Sequence, residues 1–146
     1  YEIPKRDWEF RRVLFRSPGR DGRFGRTELS LVTPDNPLGL DVTDAAAADD
    51  VTTINQLHLP VGKPVIVFLS SKDVVHSFTL PQMRVKQDAI PGTVQPVWFT
   101  PLQPGEWEIA CSQLCGLAHY RMRGFYTVQP EADFERWLAA EGRQSP

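Results

Sequence analysis

The sequence predicts an all-β Greek-key sandwich closed by a single C-terminal α-helix. Three observations carry that expectation. Short apolar or alternating runs recur along most of the chain, 13 prolines and 10 glycines punctuate them without a repeat, and one stripe of helical period stands at the end. With 146 residues and 41% hydrophobic content the chain suits one domain with its own core.

Residues 1–26 read as an irregular N-terminal segment. Trp8, Phe10, Phe15 and Phe24 stand among arginines, only Trp8-Glu9-Phe10 alternates like a strand, and residues 11–17 fit neither period. Pro18-Gly19-Arg20-Asp21-Gly22 has turn chemistry. Residues 27–146 read as the folded domain, with strands expected over 28–33, 51–59, 64–70, 94–99, 106–110 and 124–129. A long loop rich in Pro, Asp and Ala is expected over 34–50, and a connecting loop over 86–92. Alternation in 51–59 sets Ile54, Gln56 and His58 on one face and Asn55, Leu57 and Leu59 on the other, so His58 reads as a strand residue rather than a ligand. The terminal helix is expected over 130–140. Pro130 suits its first turn, Glu131 and Asp133 complement the N-terminal dipole, and Gly142 stands where it stops. Phe134, Trp137 and Leu138 form its packing stripe.

A net charge of −2, with no basic cluster interleaved with aromatics, speaks against nucleic acid as a partner. The longest apolar run, Val65-Ile66-Val67-Phe68-Leu69, is far short of the ~20 residues of a membrane span, so the chain as given is expected to be soluble. It starts at Tyr1 without an initiator Met or signal peptide, as the exposed part of a longer protein would. Charge is uneven: residues 1–26 carry eight Lys/Arg against four acids, residues 27–62 six acids and no Lys/Arg, and residues 63–146 eight of each. The acidic middle reads either as a solvated loop or as a docking face that steers a basic partner.

The chemistry concentrates in Cys111-Ser112-Gln113-Leu114-Cys115-Gly116-Leu117-Ala118-His119-Tyr120-Arg121-Met122. Two thiols, an imidazole and a thioether within twelve residues suit copper, since soft sulfur selects it and a zinc site does not normally recruit a thioether. A disulfide between Cys111 and Cys115 is an open alternative. A helix that aligns positions 111, 115, 119 and 122 is another, opposed by Gly116 and by strand-like flanks. A fifth side-chain ligand is sought at His76, in Asp73-Val74-Val75-His76-Ser77-Phe78, because loops at one end of a sandwich gather residues distant in sequence.

These two stretches, with Lys86-Gln87-Asp88-Ala89-Ile90-Pro91-Gly92 between them, resemble the copper domain of cytochrome c oxidase subunit II in order and spacing from about residue 60 to the terminal helix. Cys115-Gly116 is more similar to the oxidase pattern than to the related domain of nitrous oxide reductase. The resemblance implies a cupredoxin fold and two copper ions in a dinuclear CuA centre. Cys111 and Cys115 would bridge both metals, His76 and Met122 would complete one, and His119 with the backbone carbonyl of Gln113 the other. Bridging by two thiolates spreads one unpaired electron over both metals, which keeps reorganisation small.

The implied role is a one-electron relay in a proton-translocating oxidoreductase, from cytochrome c to haem in oxidase subunit I, with no oxygen-reducing site in this chain. The place implied is the periplasmic face of a bacterial inner membrane or the intermembrane-space face of a mitochondrial one. Membrane association would come through partner subunits and the two transmembrane helices that precede the domain in the family. Residues 35–50, Asp73, Asp88 and Trp8 are the docking candidates. A copper-delivery module without electron transfer, or a nitrous oxide reductase-like domain, is the alternative.

Three departures qualify the carry-over. Gln113 stands where the family has Glu, which removes the carboxylate that reaches magnesium and speaks against that ion. If Trp8 and Phe10 match the last two aromatics of the family's Trp-x-Trp-x-aromatic run, Arg6 occupies the position where electrons come in. Residues 11–17 read as an insertion.

Overall fold

The computed structural model describes residues 13–142, and within them nine strands and one α-helix. A five-stranded sheet runs β3 (Gln56–Pro60), β9 (Arg123–Gln129), β8 (Gly105–Cys111), β5 (His76–Leu80) and β6 (Val85–Ala89). β4 (Val65–Leu69) and β7 (Gln95–Phe99) pair as a second sheet, and β1 (Leu14–Ser17) pairs with β2 (Val51–Ile54). The ladders are antiparallel except β3 against β9, which is parallel. Leu57, Leu59, Phe78, Leu80, Ile109, Tyr126 and Val128 from the large sheet, with Phe15 from β1, form the core. Val65, Leu69, Val97 and Phe99 close it from the opposite sheet, so the expected sandwich forms with side chains alternating in and out.

Four local expectations need correction. Residues 28–33 do not form a strand. Leu29–Leu31 is a 3₁₀ turn closed by Leu31 N–H to the Glu28 carbonyl, and only the bridge of Thr27 to Leu40 is β-like there. Leu29 is 81% exposed, so this turn has no core face that would hold a strand in place. Residues 86–92 are not simply a loop: Val85–Ala89 is a strand because the whole of β5 lies antiparallel to it, His76 opposite Ala89 and Leu80 opposite Val85. Residues 51–59 are two strands, broken at Asn55, whose φ of 58° is tolerated by Asn better than by most side chains. The Asn55 backbone donates to the Val13 carbonyl at 2.7 Å, its Oδ1 accepts from Val13 N–H at 2.9 Å, and its carbonyl accepts from Phe125 N–H at 2.7 Å. Those bonds move the chain from the β1–β2 ribbon to the large sheet. Within residues 11–17, where no period was legible, Leu14–Ser17 is the strand that pairs with β2. The Trp8-Glu9-Phe10 alternation and Arg6 lie outside the described residues.

The helix α1 (Glu131–Glu141) follows Pro130 as expected, with Leu138 buried and Gly142 N–H bonded to the Leu138 carbonyl at 3.0 Å. Trp137 stacks on His58 with centroids 4.1 Å apart and planes within 11°, which gives His58 a packing role. Burial pushes the His58 imidazole below its ordinary value.

Among the described residues, part of the uneven charge is met by internal complementarity. Arg16 lies 3.5 Å from the buried Asp50, which also accepts from Gly25 N–H at 2.9 Å. Arg26 pairs with Asp41 at 2.5 Å, and Asp44 accepts from the N–H groups of Arg26 and Ala46. The Thr43 side chain, then Arg26, then the Thr43 backbone hold the Asp41 carboxyl down from 3.8 to about 2. A carboxyl depressed in the folded state contributes stability that is complete above its unfolded value and lost as pH falls through the folded one. Stability therefore drops between about pH 4 and pH 2, and Asp41→Asn flattens that part of the curve in urea melts taken across the range.

Candidate metal centre

The centre is built by one strand register. β5 and β8 pair with Phe78 opposite Cys111, and Ser112 N–H donates to the Ser77 carbonyl at 3.1 Å, so His76 stands beside the end of β8. This joins two stretches 35 residues apart and brings the predicted long-range ligand to the cysteine loop. The loop then folds back on itself. Cys111 N–H donates to the Met122 carbonyl at 3.2 Å, and Gly116, at φ 121°, turns the chain where a side chain would be strained. His119–Arg121 is a 3₁₀ turn closed by His119 N–H to Gly116 and Met122 N–H to His119. The segment is thus a strand end, a loop and a short turn rather than a continuous helix.

All six predicted donors converge. The Cys111 and Cys115 Sγ atoms are 3.8 Å apart, and neither thiol is in a disulfide. His76 Nδ1 is 3.8 Å from Cys111 Sγ, and the Gln113 carbonyl oxygen is 3.2 Å from the same sulfur. His119 Nδ1 lies 3.4 Å and Met122 Sδ 3.8 Å from Cys115 Sγ. The His76, Cys111 and Cys115 ligand atoms lie within 4.8 Å of one another, close enough for a metal ion to be shared among them. Two thiols, two imidazole nitrogens and a thioether are the soft and borderline donors that copper prefers, and the Gln113 carbonyl adds one harder oxygen to the set.

The docking candidates divide. Asp73 faces inward to the site, its Oδ1 2.8 Å from His76 Nε2. Burial pushes the Asp73 carboxyl up, but hydrogen bonds from His76, the Val74 backbone and Ser71, with the His76 charge, hold it below its ordinary value. Asp88, on β6, lies 3.3 Å from Lys86 Nζ. Trp8 lies outside the described residues. Sequence reasoning overlooked the apolar rim of the loop: Leu114, Leu117 and Tyr120 are 77–79% exposed. The available signal was that large apolar residues interleaved with ligands cannot also fill a core.

The family model of the cytochrome c oxidase subunit II periplasmic domain matches residues 32–126. The chain belongs to that family. It is 44% identical over 138 residues to the alternative cytochrome c oxidase subunit 2 of Bradyrhizobium diazoefficiens, an alignment covering 94% of this chain and 49% of that protein. It is 33% identical over 141 residues to cytochrome c oxidase subunit 2 of Cereibacter sphaeroides, covering 94% and 44%. The chain thus spans about half the length of these curated relatives. Among solved structures it is similar to the periplasmic domain of subunit II of cytochrome oxidase from Bradyrhizobium japonicum, at 34% identity and TM-score 0.59 over 62% of this chain and 67% of that one. It also resembles, at 33% identity and TM-score 0.56, the mixed disulfide intermediate between a thioredoxin-like protein and subunit II, over 62% and 65%. For subunit II the expected cupredoxin-like sandwich with its C-terminal helix holds, and the pairing of β5 with β8 is the part of that fold that assembles the donors.

Proposed function

We propose that the chain is the electron-relay domain of a haem-copper terminal oxidase. It holds two copper ions through His76, Cys111, Cys115, His119, Met122 and the Gln113 backbone carbonyl, takes electrons from cytochrome c and passes them to haem in the catalytic subunit, on the periplasmic side. The observation that carries this reading is the convergence of all six donors around two thiols 3.8 Å apart. A single copper would need only one thiolate. When bound, the copper pair supplies a one-electron centre whose shared charge changes each metal–ligand bond little.

The chain's own residues do the rest. The thiols give up their protons on loading, and both imidazoles present Nδ1 toward the sulfurs. The β5–β8 pairing and the 3₁₀ turn hold the donors in one geometry whatever the charge of the centre. Leu114, Leu117 and Tyr120 offer a donor protein an apolar contact beside the loop. The Gln113 side chain carries no carboxylate, so magnesium is not part of the proposal. If Cys111 and Cys115 were oxidised to a disulfide before loading, a thioredoxin-like dithiol, the kind of partner held in mixed disulfide by a relative, would restore both thiols by exchange and leave as the disulfide itself.

Copper counting with electron paramagnetic resonance tests the reading. Two coppers per chain and one signal shared by both nuclei are expected, whereas one copper, or a signal confined to one nucleus, overturns it. Mixing with reduced cytochrome c separates relay from delivery. The relay takes up electrons rapidly without losing metal, and a delivery module surrenders copper to an acceptor without that uptake.

A further inference from the structure

A sequence reading assigns Asp73 to a surface that meets a partner, but its carboxylate is turned to the centre. Oδ1 is 2.8 Å from His76 Nε2, and His76 is the more buried of the two, its side chain 13% exposed against 42% for Asp73. The other ring nitrogen, Nδ1, is the one that points to Cys111 Sγ, 3.8 Å away. A neutral imidazole carries one proton. If Nε2–H donates to the carboxylate, Nδ1 keeps its lone pair for a metal.

The carboxylate is itself held. Ser71 Oγ lies 3.1 Å from Asp73 Oδ1 and accepts from Asp73 N–H at 3.4 Å, and the same hydroxyl reaches the Val74 carbonyl. The bend is tied to the rest of the protein at both sides: Ser71 bridges to Pro91, and Lys72 Nζ donates to the Pro37 carbonyl at 2.7 Å. Ser71, Asp73 and His76 therefore form a short chain of contacts that ends on a ligand nitrogen. The arrangement is one-sided, for among the described residues no carboxylate is hydrogen-bonded to His119.

Resting on the copper reading above, we propose that Asp73 is a positioning residue of the metal centre: it fixes His76 in the Nε2–H tautomer with Nδ1 aimed at the thiolates, rather than serving as a docking charge. Ser71 sets the carboxylate, and the carboxylate sets the imidazole. An anionic partner also makes the imidazole a stronger donor, which favours the more positive, oxidised state of whatever metal it binds. His119 lacks this support, so the two histidines hold their metals unequally.

The test compares Asp73→Ala and Asp73→Asn with the wild-type chain. Nitrogen-15 imidazole spectra of the metal-free protein, taken at a pH high enough for the imidazole to be neutral, are expected to show His76 as one Nε2–H tautomer in the wild type and as a mixture in Asp73→Ala. Copper affinity, measured by chelator competition, is expected to fall about 10–100-fold in Asp73→Ala. The fall is smaller in Asp73→Asn, whose amide oxygen can still accept from Nε2–H. The reduction potential rises in both variants, because both lose the negative charge, while the thermal midpoint of the metal-free protein stays close to wild type. An unchanged tautomer, affinity and potential, with only the salt dependence of electron uptake from cytochrome c altered, overturns the proposal and makes Asp73 a docking charge. If the wild type fails to bind two coppers, the relay reading falls, while the tautomer measurement still decides the role of Asp73.

Discussion

With Cys111→Ser, the chain binds fewer than two coppers, loses the signal shared between two nuclei, and gains less stability from copper than wild type does. A serine hydroxyl is a hard oxygen that stays protonated at neutral pH, so it cannot replace the thiolate that two soft metals would share in the proposed centre. The fold itself asks little of this side chain. Cys111 is held through its backbone, paired opposite Phe78 and donating from N–H to the Met122 carbonyl, and its side chain is only partly buried. The metal-free variant is therefore expected within about 1 kcal/mol of wild type. Wild type gains stability from any ligand bound only when folded, about 2.7 kcal/mol at a free copper concentration one hundred times the dissociation constant. Calorimetric melts with and without copper, read beside the resonance spectrum, check both halves. A variant that keeps two coppers and the shared signal would show that Cys111 does not bridge. Proton release on loading provides a further measure, since wild type gives up protons from two thiols and the variant from one.

The reasons some features were legible are local. Cys111, Gln113, Cys115, His119 and Met122 fall within twelve consecutive residues, so their chemistry could be read before any fold was known. Likewise α1 carries its own start, stripe and stop. His76 is different: nothing near it marks a ligand, and it joins the site only because Phe78 pairs with Cys111. β6 has a charged, weakly β-forming sequence and is a strand because β5 supplies every one of its partners. In the opposite direction, the most apolar run of the chain, β4, does not lie in the centre of the large sheet. It pairs with β7, where Ile66 and Trp98 stand opposite each other on the outer face, 62% and 75% exposed. Asp73 shows the same limit at the site. Its charge can be read from one letter, but whether that charge meets a partner or a ligand histidine depends on which way a bend turns its carboxylate.

Ile109→Ala is expected to do the reverse of Cys111→Ser, and the comparison separates fold from site. Ile109 is 1% exposed on β8, two residues before Cys111, and belongs to the cluster with Phe78, Leu80 and Tyr126. Removing most of its side chain leaves a cavity that rigid neighbouring strands only partly close, at a cost of about 2–5 kcal/mol. For a chain of this size that lowers the thermal midpoint by on the order of 10 °C. The ligand atoms are untouched, and Ile109 keeps its place in the ladder opposite Gly124, so the direction of the chain into Cys111 is preserved. At a temperature where the variant is still folded, it is expected to bind two coppers with the wild-type spectrum. Copper should then raise its midpoint by about as much as it raises that of wild type, because the stabilisation depends on affinity for the folded state rather than on how stable that state was beforehand. Should Ile109→Ala also lose the shared signal while folded, the geometry of the centre depends on core packing beneath β8 as well as on the pairing of β5 with β8. That outcome would refute the separation of fold from site, because the register alone would not be enough to hold the donors in place.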